Sequence, residues 1–177
     1  MARMKFLCDA ERCIECNACV TACKNEHEIP WGVNRRRVVT INDGEPGERS
    51  ISVACMHCSE APCATVCPVD CFYACPFGAP QFPETGAFGS RGKMDKCTFC
   101  AGGPEQANSS EEFRKYGRNR MAEGKLPLCA EMCATKALLG GDGDKVADIF
   151  RERVMYRGAG ALQWGWGVAY DKQGVKG

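Results

Sequence analysis

Four cysteines within eleven residues constrain this chain more than any other feature. The run CIECNACVTAC sets Cys13, Cys16, Cys19 and Cys23 in a C-x2-C-x2-C-x3-C spacing. Three thiolates at steps of three can wrap one [4Fe–4S] cubane in a tight loop. The fourth cysteine stands about 6 Å further along if a helix begins there. It then points past the first cubane and ligates a second one. Such a run calls for another motif that returns a cysteine in exchange.

The interior needs a filler other than large apolar side chains. Leu, Ile, Val and Phe together number 30 of 177 residues, below the roughly 20% at which a highly charged chain reads as disordered. The net charge is only +1, with 23 basic and 22 acidic residues, so the shortage points elsewhere. Fifteen cysteines holding inorganic clusters would supply the missing core, and the metal-free chain should then be poorly folded. The same charge balance argues against nucleic acid or anionic membrane as a partner.

A disulfide scaffold is disfavoured on three counts. The cysteine count is odd, MARMKFLCDAERC has no apolar stretch of signal-peptide length, and the cysteines fall in steps of three and four. Structural zinc sites are the remaining alternative.

Met4 to Asp9 is compatible with a short strand entering the first motif. Cys8 lies outside any ligand spacing and reads as a buried apolar thiol. A helix beginning at Cys19 is ended by Pro30, and His27 reads as a surface group or a neighbour of the ligands. Arg35, Arg36 and Arg37 lie too deep for an export signal. They read as a solvated face, with a docking surface for an acidic partner as the alternative. Arg37–Ile41 and Ser50–Ala54 form a hairpin around Asn42-Asp43-Gly44-Glu45-Pro46-Gly47.

That hairpin leads to a second motif, Cys55-x2-Cys58-x4-Cys63-x3-Cys67-Pro68. His57, between two ligands, reads as an exposed-edge or hydrogen-bonding residue. Cys71-x3-Cys75-Pro76 looks like the back half of a third motif. Its front half is missing, because Thr65 and Pro68 stand where two cysteines belong.

A Gly- and Pro-rich loop from Gln81 to Lys96 reaches Cys97-x2-Cys100, followed by Cys129-x3-Cys133. These separated pairs would also suit a four-cysteine zinc site. As half of an exchange they give the first run the partner it needs. Between them a polar helix is expected from Ser109 to about Glu123, stopped by Gly124. Val146, Ile149, Phe150 and Val154 fall at helical spacing in Asp144–Val154, expected to pack against the cluster core. The Gly- and aromatic-rich tail, 158–177, has no 18-residue apolar run and so no membrane span. Short strands, short helices and long loops make the fold class α+β.

Taken together, CIECNACVTACK, WGVNRRRVV, ACMHCSEAPCATVCPVDC, CFYACPFGAPQF, KMDKCTFCAGGP and EGKLPLCAEMCATKALL resemble the iron–sulfur β subunits of formate dehydrogenases. Those belong to the four-cluster ferredoxin-like subunits of molybdopterin oxidoreductases; relatives serve nitrite, sulfoxide, thiosulfate and tetrathionate enzymes. The resemblance implies tandem ferredoxin-like modules: an outer one of 1–30 with 93–140, an inner one of 50–82, and a C-terminal helix and tail, 141–177. It implies nested ligand sets: Cys13, Cys16, Cys19 with Cys133; Cys97, Cys100, Cys129 with Cys23; and Cys55, Cys58, Cys63 with Cys75. A fourth set would use Cys67 and Cys71 with two cysteines this chain lacks, so three [4Fe–4S] clusters are expected where the family has four. It also implies a non-catalytic relay between a molybdenum or tungsten pterin subunit and a cytochrome b membrane subunit. The expected location is the periplasmic side of the inner membrane, with a cytoplasmic complex as the alternative.

Overall fold

The computed structural model describes residues 4–58, 60, 61, 63, 75–82, 95–100, 102 and 119–158 of the chain. In order, its elements are β1 (Met4–Cys8), α1 (Ala18–Glu26), β2 (Arg36–Ile41), β3 (Arg49–Ala54), α2 (Leu128–Glu131), β4 (Leu138–Asp142) and α3 (Gly143–Gly158). Short strands and helices make this α+β, as expected. α2 and β4 have no counterpart among the elements expected from the sequence.

β1 and β4 pair antiparallel, with Phe6 opposite Gly140 and Cys8 opposite Leu138. Since α1 packs on α2, the N-terminal motif and the Cys129–Cys133 segment meet from opposite ends of the chain. Gly140 is required by that pairing. A Cβ built there would stand 2.7 Å from the Phe6 ring and 3.2 Å from Pro127, closer than a packed core tolerates without displacement.

The packed interior is small and sulfur-rich. Cys19, Cys129 and Cys133 are buried with Ala130, Ala137 and Leu138, and Phe6, Cys8, Cys13, Val20 and Val38 lean on the group. A second buried group is Cys23, Ile29 and Val33. Ligand-motif cysteines therefore occupy positions that Leu and Ile fill in an ordinary core.

The β2–β3 hairpin forms as expected, one residue longer at each strand's start, with Val38 opposite Ser52 and Thr40 opposite Ser50. Its polarity is inverted. Arg36, Ser50 and Ser52 are buried, whereas Val39 and Ile41 are exposed. Period-two alternation sends Arg36, Val38 and Thr40 to one face, where Val38 leans on the cysteine-rich group and Arg36 lies over the Phe6 ring.

Of the arginine triplet only Arg37 lies on an exposed face. Arg36 is buried, Arg35 pairs with Asp95 at 2.5 and 3.0 Å, and Arg37 donates to the Gly78 carbonyl at 2.9 Å. The expected helix at Asp144–Val154 exists and is longer, but it docks differently from the expectation. Val146 is buried, while Ile149 and Val154 are exposed. α3 is held mainly by charge. Asp9, itself buried, receives Arg157 and stands 3.5 Å from Arg153 and 3.9 Å from Arg12. Arg153 also donates to the Lys136 carbonyl at 2.8 Å. Losing the Asp9 carboxylate would strand buried charge, a change that costs about 3–5 kcal/mol.

α1 stops at Glu26, four residues before Pro30, with His27 as its cap. Of the helix expected at Ser109–Glu123, residues 109–118 lie outside the described residues and 119–123 form turns rather than helix. The tail from 159 onward lies outside them too, and the loop after Gln81 is described only at its ends, where Gln81 bridges Asp95.

Candidate metal centre

The same backbone device recurs at three of the four C-x2-C pairs. The second residue after the first cysteine takes a left-handed conformation: Glu15 at φ 57°, His57 at φ 47° and Phe99 at φ 56°. Asn17, between Cys16 and Cys19, does likewise at φ 56°. Non-glycine residues rarely adopt this region, at a cost of about 1–2 kcal/mol each. Left-handed residues turn the chain sharply, and where they alternate with right-handed ones the successive N–H groups form a concavity suited to an anionic group. The Phe99 N–H donates to Cys97 Sγ at 3.4 Å within such a curl.

One set of thiols is gathered around a cavity. Cys23 from α1, Cys97 and Cys100 from the fourth motif and Cys129 from α2 line it, together with Phe6, His27, Arg35, Arg36 and Phe99. Among the described residues no three His, Cys, Asp or Glu side chains are placed to hold a single metal ion. The four thiols instead line one common cavity. Cys100 Sγ accepts from Leu128 N–H at 3.4 Å and lies 3.5 Å from His27 Nε2. His27 is buried and sits beside a candidate ligand, as one of its two expected roles required.

Electrostatics in the cavity follow from burial. Burial, with the neighbouring Cys97 and Cys129 sulfurs adding, pushes the Cys23 thiol well up. Cys97 is pushed up to about 11 by burial, with Arg36 opposing. Thiols crowded this way keep their protons until a metal takes the protons' place, since coordination deprotonates a thiol outright. The donor set therefore fits an iron–sulfur cluster, whose iron ions replace the protons.

The second gathering is less enclosed. Cys19 and Cys133 are buried, Cys13 half-buried and Cys16 exposed, with Cys13, Cys19 and Cys133 in one packed group. Leu138 N–H donates to Cys133 Sγ at 3.5 Å, and Ser52 Oγ lies 3.3 Å from Cys19 Sγ.

Cys55, Cys63 and Cys75 are half-buried and Cys58 is exposed, and Cys55 is close enough to Cys97 to bear on its ionisation. Cys67 and Cys71 lie outside the described residues. Cys8 is only half-buried. Its sulfur accepts from Ser52 N–H at 3.2 Å, and burial lifts its thiol to about 11. It stands next to Cys13, a placement that no spacing rule indicated.

His57 corrects another expectation. Rather than standing at an exposed edge, it is 5% exposed, edge-on to Phe99 at 5.2 Å and 6.3 Å from Phe6. Its Nε2 has no hydrogen-bond partner among the described residues. Burial, reinforced by Lys96, Lys5 and Arg36, pulls its pKa down to about 3. It is a neutral ring packed in the wall between motifs.

Recurrent cysteine curls, a cavity lined by four thiols and a sulfur-rich core fit an iron–sulfur protein. No family model matches the chain. It is 57% identical to the formate dehydrogenase iron-sulfur subunit of Wolinella succinogenes, over 96% of this chain and 97% of that one. It is 32% identical to the thiosulfate reductase electron transfer subunit PhsB of Salmonella typhi, covering 86% and 83% of the two chains. With a subunit of the anaerobic dimethyl sulfoxide reductase of Escherichia coli it shares 30% identity over 80% and 74%. The protein belongs to the family of formate dehydrogenase iron–sulfur subunits and their relatives in sulfoxide and thiosulfate reductases, as its motifs indicated. The Wolinella match spans 194 positions, at least 17 more than the 177 residues present.

Proposed function

We propose that this chain relays electrons through [4Fe–4S] clusters for a formate dehydrogenase, between a molybdenum or tungsten pterin subunit and a membrane cytochrome b or another acceptor. The observation that carries the reading is Cys23 standing in one cavity with Cys97, Cys100 and Cys129. A cysteine from the first motif among three from the fourth is what an exchanged ligand requires. A [4Fe–4S] cluster, when bound, supplies one-electron storage.

The chain's own residues do the rest. Cys23, Cys97, Cys100 and Cys129 would hold one cluster, and Cys13, Cys16, Cys19 and Cys133 another. Cys55, Cys58, Cys63 and Cys75 would hold a third. β1, α1, α2 and β4 would frame the outer of two ferredoxin-like modules, with the inner one at 50–82. Backbone N–H groups of Phe99, Leu128 and Leu138 aim at ligand sulfurs, and such bonds favour the reduced state. Among the described residues no helix is long and apolar enough to cross a membrane, which accords with a membrane anchor supplied by another subunit. We place the complex on the periplasmic side of the inner membrane.

Cys67 and Cys71 lack two partners for a fourth set. Iron and acid-labile sulfide on anaerobically reconstituted protein test this count. About twelve irons and twelve sulfides per chain, with visible colour bleached by dithionite, are expected. About sixteen irons would mean that another ligand completes a fourth cluster. Colourless protein holding zinc would overturn the reading altogether.

A further inference from the structure

Arg36 is 2% exposed, and among the described residues no carboxylate stands at ion-pair distance from it. An arginine so buried needs negative charge nearby, because desolvating it alone costs several kcal/mol. Its surroundings offer only sulfur. Arg36 lines the cavity of Cys23, Cys97, Cys100 and Cys129. On its other side Nη1 donates to Ser52 Oγ at 3.0 Å, and that oxygen lies 3.3 Å from Cys19 Sγ. The guanidinium lies 4.3 Å from the centre of the Phe6 ring, a face that favours a cation. Nη2 has no hydrogen-bond partner among the described residues.

From this geometry we propose that Arg36 is a positioning residue shared by two cluster sites, a fixed buried cation that raises the reduction potentials of both. Phe6 supports it, Ser52 anchors it, and Gly140 leaves room for Phe6. The unpartnered Nη2 is a donor available to cluster sulfur. Positive charge and N–H donors near a cluster both favour its more negative, reduced form. A guanidinium keeps its proton at any working pH.

The inference rests on the cluster assignment above, and the experiment separates the two. Iron content and dithionite-bleachable absorbance of the wild-type protein are read first, and their absence overturns the assignment itself. EPR-monitored redox titration then compares wild type, Arg36→Gln and Arg36→Lys. Arg36→Gln is expected to lower two cluster potentials together. At fixed potential each loses about tenfold in its reduced-to-oxidised ratio, which is about 59 mV for one electron. Arg36→Lys, which keeps a charge, is expected to shift both by less. Potentials unchanged in loaded Arg36→Gln, a shift confined to one cluster, or equal shifts in Lys and Gln variants would each overturn the proposal. If Arg36→Gln does not load, Ser52→Ala takes its place. A drop in both potentials supports the proposal; a drop confined to the cluster of Cys13, Cys16 and Cys19, which loss of the direct Ser52–Cys19 contact alone would give, or two unchanged potentials overturn it.

Discussion

Replacing Cys23 with alanine is expected to erase the cluster of Cys97, Cys100 and Cys129 and to spare that of Cys13, Cys16 and Cys19. The reason is positional. Cys23 is the last cysteine of the first motif, but α1 (Ala18–Glu26) carries it one helical turn beyond Cys19. There it joins the cavity of the fourth motif. In chain order the loss should look long-range; in the fold it is local. About four of about twelve irons should go, with one EPR signal lost. Cys100→Ala should remove that same signal, whereas Cys16→Ala and Cys133→Ala should share a different one. If Cys23→Ala and Cys16→Ala erased the same signal, the exchange of ligands would be wrong.

Stripping the clusters should cost the chain its fold, the second large effect. Cys19, Cys129 and Cys133 make up half of the main buried group. With few Leu, Ile or Phe side chains around them, little apolar surface remains to offset chain entropy. Metal binding and folding are then one free energy. Chelation under anaerobic conditions should remove the cooperative thermal transition. It should also bring amide protection in β1 and β4 close to that of an unfolded chain. Persistent protection in those strands would show that the β1–β4 pairing stands without metal.

What could be read in the sequence was what local spacing encodes. The steps between Cys13, Cys16, Cys19 and Cys23 pointed to the iron–sulfur family, and β-branched residues on both sides of Asn42–Gly47 identified the hairpin. β4 was not legible, because Leu138–Asp142 contains two glycines and becomes a strand only by pairing with β1. α2 is four residues long, too short for any periodic signal. Arg36 was misread through its charge. Strand parity held the information, since Arg36 shares a face with Val38 and Thr40 and faces a strand whose buried residues are Ser50, Ser52 and Ala54. Docking of α3 through Asp9 and Arg157 joins residues 148 apart, a distance over which spacing carries no signal. His57 became a buried ring because Phe6 and Phe99 converge on it from two other motifs.

The relay itself is tested most directly on the intact complex. The chain is co-purified anaerobically with its pterin-bearing subunit, and formate is added while visible absorbance and EPR are followed. The account predicts bleaching of the cluster absorbance and the appearance of reduced-cluster signals within the turnover time of the enzyme, with reoxidation when an acceptor is supplied. Clusters that dithionite reduces but formate leaves oxidised, in a complex whose pterin site turns over with an artificial dye, would contradict it.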